Sequence, residues 1–127
     1  FEAGKIVDAT ASAGEAVFRD LLGVDDGSSR IGEVALVPHS SPISQSGTLF
    51  YNTLFDENAS CHIALGQSYA DTVAGGSELG EDELKQKGAN QSLIHVDWMI
   101  GSGDVDIDGI TRTGDIVPVM RKGEWAF

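Results

Sequence analysis

The sequence predicts an α+β fold built on a mixed or antiparallel β-sheet with about two helices. Three features carry that expectation. Apolar runs of strand length recur along the chain, two segments have helical apolar spacing or glycine brackets, and the tail alternates apolar and polar residues through turn signals. At 127 residues and 41% hydrophobic, the chain holds enough apolar material for one modest core and not for two independent ones. Residues 1–127 therefore read as a single domain or as one piece of a larger protein.

Residues 1–10 read as a strand or hairpin arm, with a turn at Gly4 and Lys5 and β propensity from Ile6 and Val7. The chain opens on Phe1 without an initiator methionine, and "FEAGKIVDATA" already alternates like a strand in mid-course, so a truncated or processed product is expected. In "SAGEAVFRDLLG", Ala13, Ala16, Val17 and Leu21 recur at helical spacing, Ser12 is an N-cap candidate with Glu15 three residues on, and Gly23 is a C-cap candidate. "DDGSS" is a loop. "IGEVALV", residues 31–37, is a short apolar run ended by Pro38 and reads as a strand. "HSSPISQSG" is polar and full of turn residues, and residues 48–55 are apolar and aromatic. "CHIALG" reads as a strand with His62 and Ala64 on one face. "GGSELGEDELKQKG" resembles a surface helix between glycines. Residues 92–100 form a buried strand, and the tail turns at "IDGI" and "RKGE" as an antiparallel meander.

Charge and cysteine narrow the function classes. Twenty acidic residues against eight basic ones give a formal net charge of −12, which would repel nucleic acid or an anionic membrane and attract cations and substrates bearing an amine. Cys61 is the one cysteine, so no intrachain disulfide can form, and the chain suits a reducing compartment such as the cytoplasm. No stretch approaches the roughly 18 apolar residues that span a bilayer. A soluble protein is expected.

The chemistry-bearing residues sit inside the apolar runs. In a strand, residues i and i+2 share a face, so His95 and Asp97 project together while Val96 and Trp98 pack the other way. An isolated H-x-D reads first as a satisfied core histidine beside a capping aspartate. His62 in "CHIALG" and Glu33 in "IGEVALV" shift that balance, because an unpaired carboxylate in so apolar a strand is costly without a cation or strong donors. Three apolar strands then offer two imidazoles and two carboxylates. A mixed set of this kind suits zinc, cobalt or manganese, whereas oxygens alone would suit calcium or magnesium.

The blocks "GEVALVPHSSPIS", "LFYNTLFDENASCHIALGQSY" and "LIHVDWMIGSGDVDIDGI", with the terminal "GEWAF", resemble the C-terminal part of the aminopeptidase T and aminopeptidase S family of two-metal aminopeptidases. The resemblance covers nearly the whole chain, and three blocks in this order are specific. It implies cleavage of N-terminal amino acids from peptides by two divalent metal ions, in an enzyme that forms a homodimer. By motif, the family's metal ligands fall on Glu33, His62, His95 and Asp97, and its active-site tyrosine falls on Tyr69. Glu33 is open to either of two roles, ligand or general base. Tyr69 would donate a hydrogen bond to the developing oxyanion; without the resemblance it reads as an ordinary half-buried aromatic. The resemblance also implies a further glutamate ligand and an amino-terminal α/β domain before Phe1. On that basis the 127 residues alone should hold fewer than two ions, lack peptidase turnover and expose apolar surface.

Other signals carry less. "DVDIDG" opens like a calcium loop at Asp104, Asp106 and Asp108, but Asp115 stands where glutamate is needed and no helix flanks it, so a solvated strand turning at "DG" is expected. His39 lies in a Ser- and Pro-rich loop. Asp56 and Glu57 could hold the ring of His62, or Asp56 or Asn58 could cap a helix. Cys61 and His62 are adjacent in a strand and face opposite ways, so they form no nucleophilic pair. The rival to the peptidase reading is a noncatalytic acidic β-rich module that binds calcium or a protein partner.

Overall fold

A computed structural model describes residues 1–127 and gives an α+β fold of two small antiparallel sheets and four short helices. The helices are α1 (Glu15–Leu22), α2 (Pro42–Ser46), α3 (Thr53–Asp56) and α4 (Glu81–Gln86). One sheet holds β1 (Ile31–Ala35), β2 (His62–Gly66) and β3 (His95–Met99) in that order. The other is the meander β4 (Ile107–Ile110), β5 (Ile116–Arg121) and β6 (Glu124–Trp125). No helix is long and apolar enough to cross a membrane.

The chain divides into two compact units. The first comprises Phe1–Val34 and Ile63–Asp97, with Ile6, Ala64 and Leu65 buried at its core. Two glycines let its backbones close up. A Cβ on Gly32 would lie 2.3 Å from the Gly66 carbonyl oxygen and 2.6 Å from that of Gln67, while Gly66, at φ +92°, faces the Ile94 carbonyl at 2.1 Å from its own would-be Cβ. Only glycine meets both demands at Gly66. Asn90 ties this region together, its amide donating to the Gly27 and Gly66 carbonyls at 2.9 and 2.7 Å. Helix α4 starts where the Glu83 carboxylate turns back to accept from the Gly80 N–H at 3.0 Å.

The second unit comprises Ala35–His62 and Trp98–Phe127. Cys61 and Met120 are fully buried there, their sulfurs 3.8 Å apart, and the Glu124 carboxylate accepts from the Ser40 N–H and hydroxyl. Lys122 and Gly123, both with positive φ, make the tight turn between β5 and β6 that "RKGE" predicts.

Four expectations need correction. Residues 1–10 form only the isolated bridges Glu2–Lys5 and Lys5–Arg30, because Ala3 and Gly4, at φ 47° and 74°, reverse the chain at once. Helix α1 is capped by Gly14 and not by Ser12, since Glu15 reaches back to the Ala11 N–H and sideways to Arg19. The "DG" of residues 108–109 lies within β4, and the turn falls at Thr111–Asp115, where the Thr111 N–H meets the Asp115 carbonyl and the Asp115 N–H meets the Thr111 hydroxyl. Helices α2 and α3 stand where loop and apolar run were expected. Pro42 pre-sets the first turn of α2, and the Asp56 carboxylate folds residues 50–52 against α3 by accepting from the Phe50 and Asn52 amides.

Candidate metal centre

Glu33 on β1 and His95 and Asp97 on β3 each offer a ligand atom, all within 4.8 Å of one another. The period of the strand brings His95 and Asp97 to one face, with Nε2 of the ring 3.2 Å from Asp97 Oδ1 and 3.5 Å from Glu33 Oε2. The Asp97 side chain is 6% exposed, His95 19% and Glu33 24%. Tyr69, half exposed, sets its ring 5.0 Å from that of His95 at an interplanar angle of 54°.

The other ring nitrogen decides the chemistry. His95 Nδ1 lies 2.7 Å from the Gln67 carbonyl, which can only accept, so Nδ1 carries the proton and Nε2 is left with its lone pair. That lone pair faces carboxylate oxygens. His95 Nε2 and both Asp97 oxygens are buried and have no hydrogen-bond donor. Buried acceptors turned on one another repel, and a positive charge among them would relieve that repulsion. A proton on Nε2 would serve one carboxylate contact and leave Asp97 Oδ2 without a partner. A divalent cation would serve all three residues, and one nitrogen with carboxylate oxygens is a donor set that would suit zinc, cobalt or manganese.

His62 opens β2, is 3% exposed, and shows the same device: its Nδ1 lies 3.0 Å from the Ser60 carbonyl. The ring is therefore held by a backbone oxygen, while Asp56, offered that task by the sequence, directs its carboxylate to Phe50 and Asn52. Neither carbonyl was legible beforehand, since every residue carries one and no side-chain type marks the one that will be used.

The remaining signals resolve structurally. Asp106 accepts from the Lys122 N–H and Asp108 pairs with Arg121, so these two aspartates of "DVDIDG" brace the second sheet. His39 is exposed beside Ser44. Cys61 sets its sulfur 3.3 Å from both the N–H and the carbonyl of Val37, in the core and away from nucleophilic use.

A histidine oriented by a carbonyl and faced by two carboxylates is an arrangement that could hold a metal ion. Residues 1–125 match the thermophilic metalloprotease family M29, and the chain belongs to that family. It is 53% identical over all 127 residues to aminopeptidase 2 of Geobacillus stearothermophilus and 55% identical to aminopeptidase AmpS of Bacillus subtilis, covering 31% of each. The structure of wild-type AmpT from Thermus thermophilus matches the whole chain with a TM-score of 0.86 at 46% identity, and 31% of that chain is covered. The chain thus spans about a third of the length of these relatives.

Proposed function

We propose that this chain is the C-terminal, metal-binding catalytic segment of an aminopeptidase that removes N-terminal amino acids from peptides. The observation that supports it above all is the approach of Glu33 to His95 Nε2 and Asp97, whose buried acceptor atoms have no hydrogen-bond donor. In this reading Glu33, His95 and Asp97 are ligands, His62 is a further ligand, and a glutamate outside these residues completes a two-ion site. Divalent metal ions held by these residues would supply Lewis acidity toward a water and the scissile carbonyl. The chain's own groups do the rest. The Gln67 and Ser60 carbonyls face the Nδ1 atoms of His95 and His62, and in His95 this leaves Nε2 to present its lone pair. Glu33, the most exposed of the three clustered side chains, either binds metal or takes the proton of the attacking water. Tyr69 donates a hydrogen bond from its hydroxyl to the carbonyl oxygen as negative charge develops there.

The negative charge of the chain favours substrates that present a free ammonium group, which agrees with attack at peptide amino termini. A cytoplasmic homodimer is the assembly this reading carries for the complete enzyme. The test is metal analysis with a leucine-anilide assay on the complete protein. Zinc, cobalt or manganese bound in proportion to activity supports the reading, and calcium bound without peptidase activity favours a noncatalytic acidic module instead.

A further inference from the structure

Strand β3 is anchored two residues before His95 by an aspartate from a distant loop. The Asp25 carboxylate accepts at Oδ1 from the Gly27 N–H, the Ser28 N–H and the Ser28 hydroxyl, each at 2.9 Å. Across the gap it accepts from the Ser92 hydroxyl at 2.9 Å through Oδ1, with Oδ2 at 3.1 Å, and from the Leu93 N–H at 2.6 Å. Every one of these partners donates, so a carboxylate satisfies all of them and an amide cannot.

From there the contacts run to the metal cluster. The Ser92 hydroxyl accepts from the Ile94 N–H at 3.2 Å, and the Ser92 N–H donates to the Gln67 side-chain oxygen at 2.9 Å. The Gln67 N–H donates to the Ile94 carbonyl at 2.7 Å, and the Gln67 carbonyl takes the proton of His95 Nδ1. Gln67 is thus bound to residues 92, 94 and 95 at once. A shift of the Ser92–Leu93 segment would move His95 off the one carbonyl that sets its tautomer.

We propose that Asp25 is a positioning residue for the metal centre: it holds the Ser92–Leu93 lead of β3 in the register that keeps His95 Nδ1 on the Gln67 carbonyl and Nε2 turned toward Glu33 and Asp97. The inference rests on the metal-centre reading above. Hydrogen bonds that orient a ligand histidine through its second nitrogen commonly govern metal affinity by about 10- to 100-fold. Asp25 acts one contact further out, through the backbone that carries both partners of that bond.

The experiment uses the complete protein, with cobalt(II) titration for affinity and the ring nitrogen signals of labelled histidine for tautomer. Asp25→Asn should weaken cobalt binding by about tenfold or more and shift the His95 ring signals, while those of His62, held by Ser60, stay in place. Ser92→Ala, which removes one hydroxyl and leaves the Leu93 N–H on Asp25, should act in the same direction and less strongly. Asp20→Asn, at an exposed position, should leave cobalt affinity as it is and so controls for lost charge. A lower melting temperature in Asp25→Asn and Ser92→Ala, with affinity and His95 signals as in the parent, would reduce Asp25 to a turn anchor and overturn the proposal. If Asp25→Asn does not fold, unchanged affinity in Ser92→Ala overturns it alone. His95→Ala separates the two readings: loss of cobalt binding there with none in the Asp25 variant rejects the positioning role only, and retained binding rejects the metal centre itself.

Discussion

The Gln67 carbonyl and His95 Nδ1 lie 2.7 Å apart, and that bond dictates what the other side of the ring can do. With the proton held on Nδ1, Nε2 meets Asp97 and Glu33 as one acceptor meeting two others. In the complete enzyme, His95→Ala should therefore remove bound metal and peptidase turnover together. Asp104→Ala, in the turn before β4, should alter neither. Equal losses from the two substitutions would return the metal to the aspartate loop.

Tyr69 is half exposed beside the His95 ring, a position open to substrate as well as to packing. If its hydroxyl stabilises the developing oxyanion, Tyr69→Phe should lower kcat by about 10² to 10³ with metal content unchanged. Near-normal turnover would make the ring a packing element only.

The close approach at Gly32 can be tested by filling it. Gly32→Ala places a methyl against the Gly66 and Gln67 carbonyls, which are backbone atoms with little freedom to move, and should destabilise the fold by about 1–3 kcal/mol. Gly23→Ala, whose nearest contact would be an ordinary 3.5 Å, should stay within about 0.5 kcal/mol. Denaturant unfolding of the two variants compares them directly, and similar losses would remove the steric argument.

Asp25 supplies a pH dependence. The Leu93 N–H, followed by the Ser92 and Ser28 hydroxyls and the Gly27 N–H, holds its carboxyl down from 3.8 to about 2. Because the folded value is depressed, the stabilisation is complete above the ordinary value and is lost as pH falls through the folded one. The gap in melting temperature between the parent and Asp25→Asn should therefore be wide above pH 4 and narrow toward pH 2. Parallel curves across that interval would show that the carboxylate contributes nothing through its ionisation.

Taken alone, the 127 residues expose large apolar side chains, among them Tyr51, Leu54, Leu93 and Phe127, and span about a third of their relatives. They should self-associate, bind zinc at fewer than two ions per chain, and leave a leucine-anilide uncut. Calorimetric titration, sedimentation and the assay check each part. Two tightly bound ions with turnover would mean that no ligand from outside this segment is needed.

What the sequence determined by itself is what short-range rules can carry. Alternation in "LIHVDWM" put His95 and Asp97 on one face of a strand, because a strand repeats every two residues whatever it packs against. "RKGE" determined its turn, since two residues of positive φ suit a two-residue hairpin. The three blocks and the terminal "GEWAF" carried the family. Other features waited for the tertiary structure. Helix α3 depends on a carboxylate at Asp56 reaching back six residues to Phe50, and the "DG" of residues 108–109 was drawn into β4 because β5 pairs across it. Glu33 came to His95 only through strand neighbours far apart in the chain, and the tautomer of His95 was decided by a backbone oxygen at Gln67. Asp25 reached Ser92 and Leu93 across 67 and 68 positions. The physical reason is common to all of these. Spacing encodes which side chains share a face, but the partner of a carbonyl or a carboxylate is set by which backbones approach, and that approach exists only once the chain has folded.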